Sequence, residues 1–225
     1  MLTSTTNANL NRIVMINPKG GCGKTTLATN LASYFAVKGP MPTLMDFDPQ
    51  SSSMTWVERR SVSLPPIHGI AAYKQSLHAT RSWQLRVPAE TDTLIVDSPA
   101  GLTHESLREL TREANSILVP VLPSAIDIHA ASRCIADLLL VAKVDRRRQK
   151  LAVVANRIRR NTRSYEKLMR FLDSLEIPII AVLRDSQVFV QAVEEGVGVT
   201  EMPRHKVKED ARQIEKIAMW TEGTN

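Results

Sequence analysis

The chain has 225 residues, of which 43% are hydrophobic and 23% are charged, values typical of a globular protein and not of a disordered one. No run of about 18 apolar residues occurs, which excludes a membrane-spanning helix. The formal net charge is +6, and the 2 cysteines are too few for a disulfide scaffold or a four-thiolate zinc site. We expect a single domain over residues 1–225 in a reducing cytoplasm, with residues 1–10 and 221–225 frayed at its ends.

Short apolar runs alternate along the chain with longer segments of helical periodicity. The runs are rich in Val, Ile and Leu with little polar alternation, which is typical of strands buried on both faces. They lie at Ile13–Ile16, Thr43–Met45, Thr93–Val96, Ser116–Val121, Leu151–Ala155 and Ile177–Val182. The helical segments are Lys24–Val37, His104–Glu113, Ile126–Val144 and Ser164–Leu175. This alternation predicts an α/β fold in which a doubly wound, mostly parallel sheet is flanked by helices.

A glycine-rich loop joins the first predicted strand to the first predicted helix. It reads Lys19-Gly-Gly-Cys-Gly-Lys-Thr-Thr26, a variant of the phosphate-binding pattern G-x-x-x-x-G-K-[ST] with an additional lysine near its start. Glycines let the backbone turn sharply, so that successive N–H groups point at one anion beside a helix N-terminus. We therefore expect Lys24 to bridge the β- and γ-phosphates of a nucleotide and the Thr25 hydroxyl to bind Mg²⁺.

Two further predicted strands end in carboxylates, with Asp46 and Asp48 after the second and Asp97 after the third. The carboxyl ends of parallel strands gather at the sheet edge that also carries the phosphate loop. Asp97 is then placed as the acidic arm that holds the hydration shell of Mg²⁺. Taken alone, the carboxylate at the end of either strand would more often be a helix N-cap or a turn residue. The occurrence of all three segments in this order favours a nucleotide site.

These three motifs resemble the deviant Walker A, Walker A′ and Walker B motifs of the ParA/MinD ATPases, which are P-loop NTPases. The motifs are Lys19–Thr26, Asp46-Phe-Asp-Pro-Gln50 and Val96-Asp-Ser-Pro99. The resemblance continues through Asn156 and the segment from Arg184 to Gly196, and so covers nearly the whole chain. Lys19 is its most specific element, because ordinary P-loop NTPases do not require a lysine at this position.

The resemblance implies roles for individual residues. In that family two protomers enclose two ATP molecules, so Lys19 is expected to reach the partner's nucleotide. Asp48 matches an acid that positions the attacking water and is linked to Mg²⁺, while Asp46 is expected to support it. Asn156 matches the position that reads the adenine edge, although a turn residue is nearly as good an interpretation. The positions matching the phosphate cradle are Gly20, Gly21, Cys22, Gly23, Lys24, Thr25 and Thr26, with Cys22 expected to be a small spacer.

The function implied is that of a slow ATPase that uses ATP and Mg²⁺ to position a cargo in the cell. ATP-dependent homodimers would bind nucleoid DNA without sequence preference, and a ParB-like or cargo-specific adaptor would stimulate hydrolysis, since no arginine finger in cis is obvious. We expect the protein to be cytoplasmic and associated with the nucleoid. A plasmid, a chromosome region, a carboxysome or a chemoreceptor cluster would all suit this cargo. With 12 residues before the first predicted strand, we expect no helix-turn-helix extension.

Ten basic residues and one acidic residue lie between Arg146 and Arg170. Such a local excess could attract a polyanion, and Arg163, Lys167 and Arg170 recur at spacings of four and three on one side of a predicted helix. They are our candidates for DNA contact, because the arginine that many chromosomal relatives carry shortly after the position of Arg184 is not found here. A solvated helix face without a ligand is an equally good interpretation.

Other members of this P-loop class suggest alternatives. A MinD-like membrane ATPase needs a free amphipathic helix at its C-terminal end. The apolar stripe in Lys206–Trp220 is narrow and interrupted by acids, so packing on the sheet is preferred and no membrane contact is expected. An iron–sulfur reductase needs cysteines at a dimer axis, whereas Cys22 lies in the phosphate loop. A cofactor-biosynthesis enzyme needs substrate-binding segments for which the sequence has no signal.

Overall fold

The computed structural model describes residues 10–74, 87–145 and 150–223. Its centre is a seven-stranded sheet in which every neighbouring pair of strands is parallel. The strands are β1 (Asn11–Met15), β2 (Thr43–Asp46), β3 (His68–Ala71), β4 (Thr93–Asp97), β5 (Ser116–Val121), β6 (Lys150–Ile158) and β7 (Ile179–Arg184). Their order is β3-β2-β4-β1-β5-β6-β7, which confirms the predicted parallel α/β architecture. Because β4 and β5 flank β1 on opposite sides, the loop after β1 lies at the point where the strand order reverses.

Helices cover both faces of the sheet. They are α1 (Lys24–Lys38), α2 (Ser52–Arg59), α3 (His104–Thr111), α4 (Ala125–Ala136), α5 (Arg163–Asp173), α6 (Gln187–Glu195) and α7 (Arg204–Glu222). One apolar cluster joins the sheet to α1, α2, α6 and α7, and the other joins it to α3, α4 and α5. Successive residues of β1 alternate between the clusters, since Ile13 and Met15 belong to the first and Val14 to the second. This double burial explains why the strands read as continuous apolar runs.

Several predicted boundaries are wrong. The helix expected over Ile126–Val144 is α-helical only to Ala136 and continues as a π-helical turn over Asp137–Val141. The sequence interpretation also missed β3, α2 and α6. β3 is a four-residue edge strand that includes a histidine and a glycine, and both helices are short. Short elements offer few residues from which a periodicity can be recognised, although α3, of the same length as α2, was predicted.

The last helix, α7, packs on the sheet as expected. Val207, Ile214 and Ile217 are fully buried in the cluster that also contains α1. The fraying expected from residue 221 onward is wrong for the first two residues of that range, since Thr221 is buried and Glu222 forms an ion pair with Lys38 on α1. The expectations for residues 1–9 and 224–225 lie outside the described residues. Within the described ranges, none of the helices combines the length and the apolar character that crossing a membrane requires.

The C-terminal end of α2 is clamped to the connection between α6 and α7. The Arg60 guanidinium forms a buried ion pair with Glu201 and lies over the Trp56 ring, whose centroid is 5.3 Å away. The Trp56 indole donates to the Val197 carbonyl over 3.2 Å. Gly196 adopts φ +67°, and a Cβ there would lie 2.8 Å from the Arg59 backbone. This close approach fixes the far end of α2 against the scaffold.

Candidate nucleotide site

The glycine-rich loop lies between β1 and α1, at the carboxyl edge of the sheet. Gly21 and Gly23 both have positive φ angles, of 76° and 103°, a region that side chains disfavour. A Cβ on Gly23 would also lie 2.1 Å from the Asn156 amide nitrogen. Backbone conformation and close approach therefore both require glycine at position 23.

Lys24 is buried at the base of this loop. Its ammonium donates to the backbone carbonyls of Asn17 and Lys19, over 2.9 and 3.2 Å. The Asn17 side chain is itself fixed, because it donates to the Pro120 carbonyl and accepts from the Lys19 N–H. Both acceptors of the Lys24 ammonium are neutral, so its positive charge remains available to an anion in the loop.

Asp97, at the end of β4, receives two hydroxyl groups on one carboxylate oxygen. Thr25 Oγ1 and Ser53 Oγ each donate to Asp97 Oδ2 over 2.7 Å. The other oxygen, Oδ1, is buried and has no hydrogen-bond partner among the residues that the structure describes. Burial raises the pKa of Asp97 to about 6, although both hydroxyl hydrogen bonds oppose the shift. A buried carboxylate oxygen without a donor, beside a threonine hydroxyl, fits the hydration shell of a divalent cation.

Asp46 and Asp48 differ in what they contact. Asp46 is fully buried and accepts backbone N–H groups from Asp48, Ser53 and Met54, so it holds the turn after β2 to the start of α2. Burial raises the pKa of Asp46, and these N–H groups oppose the shift. Asp48 instead lines the cavity beside the loop, where its Oδ1 accepts from the Gln50 N–H. Asp46 is thus placed to support the turn and Asp48 to meet a ligand.

A cavity of about 870 Å³ connects these elements. Its lining comes from the phosphate loop, from Asp48, from the ends of β6 and β7 and from α6. The residues predicted for the site that line it are Gly20, Gly21, Gly23, Lys24, Thr25, Thr26, Asp48 and Asn156. Lining residues that sequence reasoning missed include Ser186, Gln187, Phe189, Val190 and Val193. Ser186 caps α6 and Gly196 ends it, a signal from which this helix could have been predicted.

Lys19 does not line this cavity. Its ammonium lies 2.8 Å from Asp127 Oδ1, in the first turn of α4. The Asp127 side chain is 5% exposed, and its other oxygen accepts from the Ser124 hydroxyl at the N-cap of that helix. Sequence reasoning missed Asp127, although Ser124 followed three residues later by an acid is a capping pattern.

Asn156 is hydrogen-bonded to the phosphate loop at Cys22. The Asn156 amide donates to the Cys22 carbonyl over 2.8 Å, and its oxygen accepts from the Arg157 N–H. Asn156 therefore braces the loop, with one further N–H and one lone pair available to a base. Cys22 is buried, and burial raises the pKa of its thiol, which supports the spacer interpretation.

The basic candidates for DNA contact are exposed. Arg163, Lys167 and Arg170 all lie on the solvent side of α5, away from the cavity beside the phosphate loop. Lys150, also in the basic segment, donates to the Trp220 carbonyl over 2.9 Å and is tied to α7. The residues 146–148 of that segment lie outside the described part of the chain.

The chain is similar to curated proteins and to solved structures. The curated relatives include the maintenance of carboxysome distribution protein A of Halothiobacillus neapolitanus, 28% identical over 84% of this chain and 87% of that protein. They also include the septum site-determining protein MinD of Thermotoga maritima, 26% identical over 84% and 81%. Among solved structures, the ATP complex of a Cyanothece McdA variant superposes with a TM-score of 0.75 at 16% identity, covering 96% of this chain and 98% of that one. A family model matches residues 13–199, and the chain belongs to the CobQ/CobB/MinD/ParA nucleotide binding domain family.

Proposed function

We propose that this protein is an ATPase that binds ATP and Mg²⁺ in the cavity beside the phosphate loop and uses their turnover to position a cargo. One observation carries the proposal: Lys24, Thr25 and Asp48 line one cavity at the carboxyl edge of the sheet, and the Thr25 hydroxyl is hydrogen-bonded to the buried Asp97. Transfer of a phosphoryl group to water requires a positively charged side chain that binds the phosphates. It also requires a site for a divalent metal ion and an acidic side chain near the terminal phosphate.

Each residue has a defined task in this proposal. The backbone N–H groups of residues 20–26 bind phosphate oxygens, and Lys24 neutralises the β- and γ-phosphates. Thr25, Asp48 and Asp97 would hold Mg²⁺, which supplies charge neutralisation to the phosphates when it is bound. Asp48 orients the attacking water, and Asn156 holds the loop while facing the adenine end of the cavity.

Dimerisation is proposed to depend on Lys19. In the structure this lysine is paired with Asp127 of its own chain, so a contact with a second chain's nucleotide requires that this pair opens. ATP carries a negatively charged γ-phosphate that ADP lacks. This phosphate would attract Lys19 away from Asp127. The protein would thereby dimerise according to its nucleotide state.

We infer slow basal hydrolysis and stimulation by a partner from the position of the arginines that line the cavity. The arginines that line the cavity, Arg157 and Arg184, lie at the ends of β6 and β7. Arg184 is also engaged by both oxygens of Asp210, over 2.8 and 2.6 Å. We expect an adaptor protein to accelerate hydrolysis by completing the side near Asp48.

Non-specific binding of the dimer to duplex DNA is the remaining part of the proposal. Exposed basic residues on α5 would contact phosphates, and two copies in one dimer would raise the affinity through effective concentration. The similarity to a carboxysome distribution protein makes a carboxysome the first cargo to test. A MinD-like membrane role is disfavoured, because the apolar stripe of α7 is buried in the core.

The experiment combines three measurements on the purified protein. ATP turnover is measured with and without Mg²⁺, molecular mass by light scattering with ATP and ADP, and binding of duplex DNA at increasing salt. We expect slow Mg²⁺-dependent turnover, a dimer with ATP alone and DNA binding by that dimer. A protein that binds ATP only together with a second metabolite would contradict the proposal in favour of a biosynthetic enzyme, and ATP-dependent pelleting with liposomes would favour the membrane alternative.

A further inference from the structure

Ser53 contacts both buried carboxylates of the site. It is the second residue of α2 and is fully buried. Its hydroxyl donates to Asp97 Oδ2 over 2.7 Å, and its backbone N–H donates to Asp46 Oδ2 over 3.1 Å. One residue therefore joins the ends of β2 and β4 to the first turn of α2.

The hydroxyl of Ser53 is not used to cap its own helix. The N-cap position of α2 is Ser51, and the Ser53 side chain points across to a residue 44 positions away in the chain. Ser53 does not line the cavity, although its neighbour Ser52 does. It therefore contacts the site through its hydrogen bonds to Asp97 and Asp46, outside the lining of the cavity.

Two hydroxyl groups that donate to the same oxygen determine the orientation of the Asp97 carboxylate. Thr25 donates from α1 and Ser53 donates from α2, both to Oδ2, so Oδ1 is the oxygen without a donor among the described residues. If only Thr25 remained, the carboxylate could rotate and exchange its oxygens. The second hydroxyl removes that freedom at a buried position, where a hydrogen bond to a charged group is strong.

Ser53 is itself held by the scaffold. Its N–H is bound to Asp46, and the far end of α2 is fixed by the buried Arg60–Glu201 pair and by Trp56. The chain between Asp46 and Ser53, which carries Asp48, is thus attached at both ends. A residue that orients another group must be fixed more firmly than that group, and Ser53 meets this condition.

We propose that Ser53 is a positioning residue for the divalent cation, which holds the Asp97 carboxylate in the orientation that leaves Oδ1 for the hydration shell and so sets the affinity for Mg²⁺. This inference rests on the proposed nucleotide site. It adds a residue that none of the three phosphate-site motifs identifies as a ligand, and it links the cation to the helix that follows Asp48.

The test is a Mg²⁺ titration of the full chain with a fluorescent methylanthraniloyl-ATP. The nucleotide is first bound in excess EDTA, and the change of fluorescence on adding free Mg²⁺ gives the midpoint. We expect Ser53→Ala to raise this midpoint about ten-fold, since one hydrogen bond to a charged acceptor is lost, and to leave nucleotide affinity in EDTA within about two-fold. Ser53→Thr, which keeps a hydroxyl, should restore the midpoint.

The matched control is Ser106→Ala, which removes a buried hydroxyl from the first turn of α3, where it contacts Thr103. Its midpoint should equal that of the unchanged protein. If Ser53→Ala fails to fold, Ser53→Cys, a weak donor of similar size, takes its place with the same expectation. An unchanged Mg²⁺ midpoint, or an equal loss of affinity in EDTA, would overturn the inference. Failure of the unchanged protein to bind the nucleotide would instead refute the proposed function and the inference with it.

Discussion

The proposed function depends on charged residues in two regions, the phosphate loop region and the outer face of α5. The two regions differ in the burial of these residues and in their contacts. Lys24, Asp46 and Asp97 are buried, and each has hydrogen-bond partners. Arg163 and Lys167 are exposed on a single helix. Burying a charge is costly, so its presence indicates either a partner or a ligand. An exposed charge costs almost nothing and by itself indicates neither.

The largest expected effect tests the buried region through Lys24. Replacing it in Lys24→Ala removes the cation that meets the phosphates, and we expect ATP affinity to fall about 100-fold or more, measured by titration with the fluorescent nucleotide. The control is Lys38→Ala, which removes an exposed lysine from the last turn of α1 together with its pair with Glu222 and its contact with the Tyr34 ring. Retained ATP affinity in Lys24→Ala would mean that the buried charge is structural.

Replacing Asp48 tests whether the protein hydrolyses ATP in the cavity as well as binding it there. We expect Asp48→Ala to slow ATP turnover by about 100-fold, within the range of a lost acid or base, while ATP affinity changes little. The dimer should then accumulate with ATP in light scattering. Asp173→Ala, an exposed acid at the end of α5, serves as the control. A loss of ATP binding in Asp48→Ala would assign Asp48 to the framework of the loop.

Lys19 lies between the two regions in its degree of burial, with 34% of its side chain exposed. We expect Lys19→Gln to bind ATP as a monomer. Asp127→Asn should act in the opposite direction and strengthen ATP-dependent dimerisation by up to about five-fold, the scale of a partly exposed ion pair. Sedimentation at several protein concentrations measures both. Dimerisation of Lys19→Gln at the normal concentration would contradict a contact in trans.

The smallest effect is expected on α5. Changing Arg163, Lys167 and Arg170 together to Gln should weaken DNA binding equally across sequences and reduce the salt slope by up to about 0.9 for each lost phosphate contact. ATP-dependent dimerisation should be unchanged, because these residues lie away from the loop. A salt slope equal to that of the unchanged protein would show that this face is only solvated, and attention would move to the exposed basic residues at the start of α7.

The two regions also explain which parts of the molecule can be predicted from sequence. The phosphate loop is local: its glycines, Lys24 and Thr25 are consecutive, and a strand and a helix flank them. The contact of Ser53 with Asp97 depends on the packing of α2 on the sheet, and no local pattern encodes it. Asp127 is an intermediate case, because its capping pattern is local whereas its pairing with Lys19 is tertiary. For the exposed residues of α5, the sequence and the structure are both compatible with two interpretations, a DNA contact or a solvated face without a ligand.

The edge strand β3 was the one strand of the described sheet that the sequence interpretation missed. β3 has a neighbour on one side only and needs no continuous apolar run, and its Gly69 faces Met54 and Val57 of α2. The prediction of helix α5 succeeded because its inner face repeats regularly, with Leu168 and Leu172 buried. Regular amphipathic patterns were therefore predictive, whereas β3, α2 and α6 were not identified from their periodicity.

The clamp at the end of α2 has a practical consequence for following the protein in living cells. Arg60 hydrogen-bonds to the Pro65 carbonyl as well as to Glu201, so it closes the base of a short loop whose tip, Val62, projects fully into solvent. Exposed tips between anchored ends tolerate inserted domains. A fluorescent protein inserted at Val62 should therefore leave the nucleotide site, the α5 face and both chain ends unaltered. By contrast, the connection between α6 and α7 has no loop of this kind, because Gly196 already touches the backbone of α2.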